Sequence, residues 1–317
     1  MPLSTASAVA FFYAIGYPIG TLAVTAMTPM AVLVLRFGLA AIILTVWAVL
    51  SRAAWPRGAQ FGHVLVAGLL IQAVQFCCLY EAVMLGAPAV LCAVVIAMNP
   101  VITAILAAAF LREPLGSTRI AALALGVVAV LAACAKRLLS THGVDPVIGL
   151  LVVALLGLSV GGVYQQRYCA GVDFRAMSAI HNAVALIPAA VLAMLTPYAV
   201  HDAVKAAVAI SAVVLLNATL AVSLYVRAIS IHGAAAVTML FAVIPALAGV
   251  LSWLMVGQRP DIGVAVGLLA GGLACWLNSR TAGRRRAAEE HPTSVSAPAD
   301  IRADMVTCSV APAGRDF

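Results

Sequence analysis

Charge is scarce in this chain. Lys, Arg, Asp and Glu make up 9% of its 317 residues, against about a quarter in an average soluble domain. That shortage excludes water as the main solvent of the fold. Acids number only eleven, and none falls at the middle of an apolar run, which weakens any carboxylate relay. The seven cysteines form no Cys-x-x-Cys and no Cys/His cluster, and Cys77 and Cys78 are adjacent, too close for a normal disulfide. They read as small packing residues. His-Glu-x-x-His, Gly-x-Ser-x-Gly, a carboxylate pair and a Gly-rich phosphate loop are all missing. No metal site, cofactor or catalytic centre is expected, and an intramembrane enzyme is the weakest functional reading.

What fills the chain is apolar: 64% of it, with a mean hydropathy of +1.11. Continuous apolar runs recur from Phe11 to Trp276. A span needs roughly 20 such residues to cross about 30 Å of hydrocarbon at about 1.5 Å each. Because the runs are continuous rather than alternating, they exclude a membrane barrel. The fold class expected is an all-α integral membrane protein of ten spans: 4–24, 29–50, 62–82, 88–111, 118–136, 147–166, 176–196, 205–226, 233–256 and 262–279. The start MPLSTAS has no Lys or Arg and no cleavage-like site follows the first run, so that run is expected to be retained.

The net charge of +7 reports topology and not a nucleic-acid partner. Arg52, Arg57, Arg112, Arg119, Arg167, Arg175 and Arg227 fall at the even-numbered connections, with six more Arg in the tail; Lys136, Arg137, Lys205 and Arg259 fall on the opposite side. The positive-inside rule then puts both termini in the cytoplasm, with Lys136-Arg137 as the one dissenting loop. From Arg280 onward the chain gains Pro, Ser and charge. A disordered tail over 281–317, beginning with a basic lipid-surface anchor at GRRR, is expected.

The chain repeats itself. VIAMNPVITAILAAAFLREPL, Val95 to Leu115, returns as LFAVIPALAGVLSWLMVGQRPD, and Pro100 and Pro245 are 145 residues apart. At that offset and without a gap, Tyr80 meets Tyr225, Leu79 Leu224, Ala97 Ala242, Leu106 Leu251 and Gly126 Gly271, while Gln72 meets Asn217, Glu113 Gln258 and Arg36 His181. Two copies of five spans are expected, 1–145 and 146–280. An odd span count inserts the second copy upside-down, the arrangement of secondary transporters whose halves exchange roles. A mid-span proline frees the carbonyl four residues back, which in hydrocarbon must find a partner or line a watered cavity. Pro100 and Pro245 are therefore read as helix breaks on a shared pathway, although a kink that merely fits neighbouring helices explains them equally well.

The run of a Gly/Ala segment, a mid-span Pro, an acid thirteen residues on and then a Gly-containing span resembles the drug/metabolite transporter superfamily, and within it the ten-helix EamA-type exporters. The resemblance covers about residues 8 to 279 and is clearest over Gly86–Leu131 and Gly233–Trp276, with Arg36 in the second span. It implies five-plus-five inverted repeats, efflux of small metabolites or amino-acid-like compounds, and a central cavity lined by spans 1, 3, 4, 6, 8 and 9. Gln258 departs from the acidic position of the pattern.

Polar groups inside a bilayer are expensive and default to functional candidates. Gln72 and Gln75 share a face of the third span; with Asn99, Asn217, Tyr17, Tyr164 and Trp253 they are the candidate substrate-binding residues. Interhelical hydrogen bonds and interfacial aromatic belts are the plainer alternatives. Arg36, roughly 10 Å from the outer end of its span by helical rise, is either a structural anchor or an anion anchor. Glu81 and His181 are the candidates for proton coupling, and Glu113 and Gln258 for the cytoplasmic mouth or gate. Gly263, Gly267 and Gly271 form a small-residue packing face and extend the reading to a homodimer. The expected partners are a small-molecule substrate and the lipid bilayer, in a bacterial inner membrane. A channel and a non-transporting receptor or scaffold remain as alternatives.

Overall fold

The computed structural model describes residues 3–111, 146–234, 237 and 239–257, with residues 121, 124, 125, 128, 262, 265, 266, 269 and 273 besides. The chain divides into two units, Met1–Thr281 and Ala282–Phe317, and every described residue lies in the first. Glu113, Gln258, the Lys136-Arg137 loop, the glycine face of the tenth span and the tail lie outside the described residues.

Apart from one isolated bridge, Met27 to Val200, the regular structure among the described residues is helical. The helices are α1 Leu3–Ala26, α2 Pro29–Leu50, α3 Ala59–Met84, α4 Ala89–Ile96, α5 Asn99–Leu111, α6 Pro146–Tyr168, α7 Phe174–Leu195, α8 Ala203–His232 and α9 Ile244–Val256. Seven helices among the described residues are long and apolar enough to cross a membrane, the stretch Ala89–Leu106 through α4 and α5 counting as one. The second span has the bounds expected from its sequence. The eighth runs six residues further than expected, to His232, so Arg227 lies within α8 and not in a connection. Gly233, at φ +79°, ends that helix in a region that favours glycine.

Pro100 and Pro245 each take the second position of a restarted helix, α5 and α9. A first-turn residue has no intrahelical acceptor for its N–H, so proline is tolerated there at little cost. Ahead of each restart the backbone tightens to a three-residue bond: Met98 N–H to Val95 carbonyl at 3.1 Å, and Val243 N–H to Leu240 carbonyl at 3.0 Å. These two bonds are 145 residues apart. Both prolines are therefore breaks, and neither is a kink in a continuous helix.

α3 and α8 share a second irregularity. Each widens to π-helical turns midway, over Leu69–Val74 and Val213–Ala221, and the repeat-mates Gln72 and Asn217 sit within them. Such turns leave backbone groups imperfectly paired and gather at functional places in helices.

Two pairs of connections meet. Thr28 N–H donates to the Ala199 carbonyl at 3.0 Å and His201 N–H to the Ala26 carbonyl at 2.8 Å, joining the α1–α2 and α7–α8 connections. At the opposite end of those helices, Arg175 Nη1 donates to the Ser51 carbonyl and Gln60 Nε2 to the Ala170 carbonyl, each at 3.4 Å, joining the α2–α3 and α6–α7 connections. Between those two ends α2 packs against α7. Asp173 caps α7, accepting from the Arg175 N–H at 3.0 Å and from the Arg175 guanidinium at 2.7 Å. Those bonds hold its carboxyl below the ordinary carboxylate range. Beside it, burial pushes the Cys169 thiol up to about 11, a thiol that stays protonated and inert.

Candidate functional site

Glycine decides where the helices can close up. A Cβ on Gly16 of α1 would collide with the amide nitrogen of Asn217, so α8 lays its π-helical turn directly on the α1 backbone. A Cβ on Gly161 of α6 would meet Ile71 Cγ1 at 2.6 Å and Leu70 Cβ at 2.9 Å, so the π-helical turn of α3 lies on α6 in the same way. Gly16 and Gly161 are themselves 145 residues apart. Gly20 gives the same access to Tyr80, whose hydroxyl would sit 3.2 Å from an added Cβ.

Between α1, α3 and α8 these approaches leave a chamber lined by Tyr13, Tyr17, Gln75, Phe76, Tyr80 and Asn217, with Gly16 and Leu79. About 20 Å³ of it is open to water centres, room for roughly one water. A metabolite does not fit without movement of the walls. Gln75 Nε2 donates to the Tyr13 hydroxyl at 2.8 Å; Gln75 Oε1 and the Tyr17 hydroxyl are buried without a partner among the described residues. On one side Tyr13, Tyr225 and Phe241 pack ring to ring, with centroids 5.0–6.0 Å apart. On the other, Phe76 and Tyr80 pack at 6.4 Å. Tyr80 and Tyr225, repeat-mates in sequence, thus stand in the two aromatic walls.

Arg36 lies behind Phe76. It is fully buried, its guanidinium carbon is 3.4 Å from the Phe76 ring centroid and 5.2 Å from that of Phe37, and none of its nitrogens has a hydrogen-bond partner among the described residues. A desolvated cation–π contact contributes about 2 kcal/mol, less than the several kcal/mol that dehydrating a buried ion costs. The carbonyl partners that a structural anchor requires are not found among the described residues.

The other candidate residues separate. Tyr17, Gln75 and Asn217 converge on the chamber. Gln72 is buried and is not part of that lining, with neither amide atom paired among the described residues. Asn99 is absent from the lining but stands beside Tyr225 of one aromatic wall: its Oδ1 accepts from Ser159 at 2.8 Å and Thr103 at 3.0 Å, tying the start of α5 to α6. Tyr164 also stands apart from the chamber. Its hydroxyl meets His63 Nδ1 at 2.8 Å and its ring packs on Tyr168 at 4.7 Å, near the end of α6. Trp253 is 53% exposed on α9, so the expectation of a cavity contact is replaced by an outward, lipid-facing position that suits an amphipathic ring. Glu81 is half-buried in the last turns of α3, outside the chamber lining. His181 is fully buried on α7, its ring against the place where a Gly68 Cβ would be, with both ring nitrogens unpaired.

Phe76, Gly16, Phe241 and Tyr13 are not among the candidates read from the sequence. The exact Tyr80–Tyr225 match was the signal for the walls. No group of three or more His, Cys, Asp or Glu that could hold a metal exists among the described residues.

Long apolar helices, glycine-mediated crossings and buried polar groups around a chamber define a multi-pass membrane protein of transporter type. The family model of the EamA-like transporter family matches the chain twice, over residues 2–134 and 146–280, and the chain belongs to that family. The two matches fall one on each of the two sequence copies. None of the curated proteins compared matches. One solved crystal structure is similar over 90% of this chain and 99% of its own, with a TM-score of 0.65 and 17% identity; that likeness concerns the fold alone.

Proposed function

We propose that the protein is a secondary transporter that exports a small polar or amphipathic metabolite across a bacterial inner membrane by alternating access. The observation that carries the reading is the chamber itself: unpaired Tyr17 and Gln75 atoms and the Asn217 amide, enclosed between helices of both repeats, with an aromatic wall on either side. Its two repeats, 1–145 and 146–280, are inverted, and both termini are cytoplasmic. The meeting of connections supports the inversion. The α1–α2 connection joins the α7–α8 connection at one end, while the repeat-mate of the former, α6–α7, joins the α2–α3 connection at the other. Mates at opposite ends are what an upside-down copy produces.

Alternating access then uses the irregular turns. Parting the Tyr80 wall opens one side, and parting the Tyr225 wall opens the other. The helix breaks before Pro100 and Pro245 and the π-helical turns of α3 and α8 are where the backbone leaves the regular α-helical ladder, and there it yields. A volume near one water favours a carrier over a channel, because a channel requires a continuous wet path. Glu81 and His181 are the candidates for proton coupling, and both stand outside the chamber lining.

The test is flux into proteoliposomes with a panel of labelled amino acids and small organic metabolites. Saturable flux with acceleration by substrate on the far side is expected. Non-saturating flux would assign a channel, and no flux for any class, from protein that unfolds cooperatively on heating, overturns the reading.

A further inference from the structure

We propose that Arg36 is the cargo's anion site, so that the transported solute carries a single carboxylate; this rests on the transport reading above. Arg36 is wholly buried, all three of its nitrogens lack partners among the described residues, and no acid lines the chamber beside it. A buried charge needs a paired, hydrogen-bonded counter-ion, and the fold supplies none here.

The stacking geometry leaves the guanidinium edge without a bonded partner among the described residues. At 3.4 Å from the Phe76 centroid the guanidinium lies flat on the ring, because an N–H aimed into the ring would hold the carbon further off. Its face rests on the ring, while its edge is buried and makes no hydrogen bond among the described residues. That edge is a fork of N–H donors whose spacing matches the two oxygens of a carboxylate. Phe76 is at once the platform under Arg36 and part of the chamber wall, so a shift of this one ring connects the two. The remaining wall groups are neutral: the Tyr13 and Tyr17 hydroxyls, Gln75 and Asn217. One cation and no other charge balances a singly charged anion, and a phosphate dianion would retain an unmatched charge. The free Gln75 Oε1 and Tyr17 hydroxyl remain to accept from a donor on the same solute.

The experiment uses the purified full-length protein in detergent, followed by thermal unfolding through its tryptophan fluorescence. The probes are acetate, benzoate and 3-phenylpropanoate, beside benzamide, 3-phenylpropanamide and inorganic phosphate, near pH 7.5, where carboxylates are ionised. At least one carboxylate is expected to raise the Tm saturably, with its amide isostere binding at least about tenfold more weakly and phosphate giving no shift. Arg36→Lys keeps the acid preference at lower affinity, and Arg36→Gln abolishes it. Equal binding of acid and amide, no shift with any carboxylate, or a preference for phosphate overturns the assignment. So does an Arg36→Gln variant that still prefers the acid. If that variant does not fold, the wild-type comparison of acid, amide and phosphate still decides. Acid-selective binding without flux sinks the transport reading alone; flux without acid selectivity sinks the anion site alone.

Discussion

The two repeats share a backbone and differ in what they place on it. At the 145-residue offset the glycines at 16 and 161, the breaks before Pro100 and Pro245 and the π-helical turns around Gln72 and Asn217 all coincide. The polar side chains do not. Tyr13, Tyr17, Arg36, Gln75 and Asn99 of the first copy correspond to Leu158, Gly162, His181, Leu220 and Ile244 of the second. Symmetry is kept where a transporter needs two equivalent shapes and given up where one solute must be recognised. The chamber accordingly lies between α1, α3 and α8, and where Asn217 meets Gly16 in it, Ile71 and Leu70 meet the mate Gly161.

The glycine pair breaks this comparison most sharply. Gly16→Ala drives the Asn217 amide out of the chamber, whereas Gly161→Ala presses on Ile71 Cγ1 at 2.6 Å and the Ile71 backbone nitrogen at 3.1 Å. The first is expected to lose flux by more than about tenfold with little change in unfolding temperature. The second is expected to lose about 1–3 kcal/mol of stability from overpacking. Flux in proteoliposomes and thermal unfolding of the same preparations separate the two. Equal loss of flux and of stability in both variants would mean that the halves are functionally equivalent.

The amide pair comes next. Asn217 lines the chamber and Gln72 does not, so Asn217→Ala should cut flux about tenfold and Gln72→Ala about twofold, both at normal membrane abundance. A larger effect at Gln72 would move the pathway toward α7. The two aromatic walls follow. Tyr225→Ala and Tyr80→Ala should bias the protein toward opposite sides, read as severalfold changes in thiol labelling at single cysteines introduced near each mouth. Labelling that rises on the same side in both variants contradicts the inverted arrangement.

Much of this scaffold was legible in the sequence, and for identifiable reasons. Apolar runs of span length have few alternatives in hydrocarbon, so the bounds of α2 came out as read. Pro100 and Pro245 announced breaks because proline has no N–H. The π-helical turns were not legible. Neither Leu69–Val74 nor Val213–Ala221 contains glycine or proline, and the widening comes from the close seat of those turns on Gly161 and Gly16. Trp253 misled because a bilayer interface and a ligand satisfy the same amphipathic ring. Tyr164 misled because its partner, His63, is 101 residues away. Gln75 and Gln72 share a helix face, and only the rotation within the π-helical turn decides which one reaches the chamber.

The smallest difference is at the caps. Thr28 and Asp173, another pair of mates, precede α2 and α7. Thr28 accepts from the Ala199 N–H at 3.3 Å across to another connection, while Asp173 accepts from the first turn of its own helix. An N-cap with a local bond is worth about 1 kcal/mol, so Asp173→Ala should lower the unfolding temperature more than Thr28→Ala. The two also part in their response to pH. Asp173 has a folded pKa below its unfolded value, held down first by the Arg175 side chain. Its contribution is therefore fully present above the unfolded carboxylate value near 3.9 and is lost as pH falls through the lowered folded one. The stability gap between wild type and Asp173→Asn should be constant from neutral pH down to about pH 5 and close below that, and the gap for Thr28→Ala should not change with pH. A gap at Asp173 that persists in acid would show that the cap works through geometry and not through the charge.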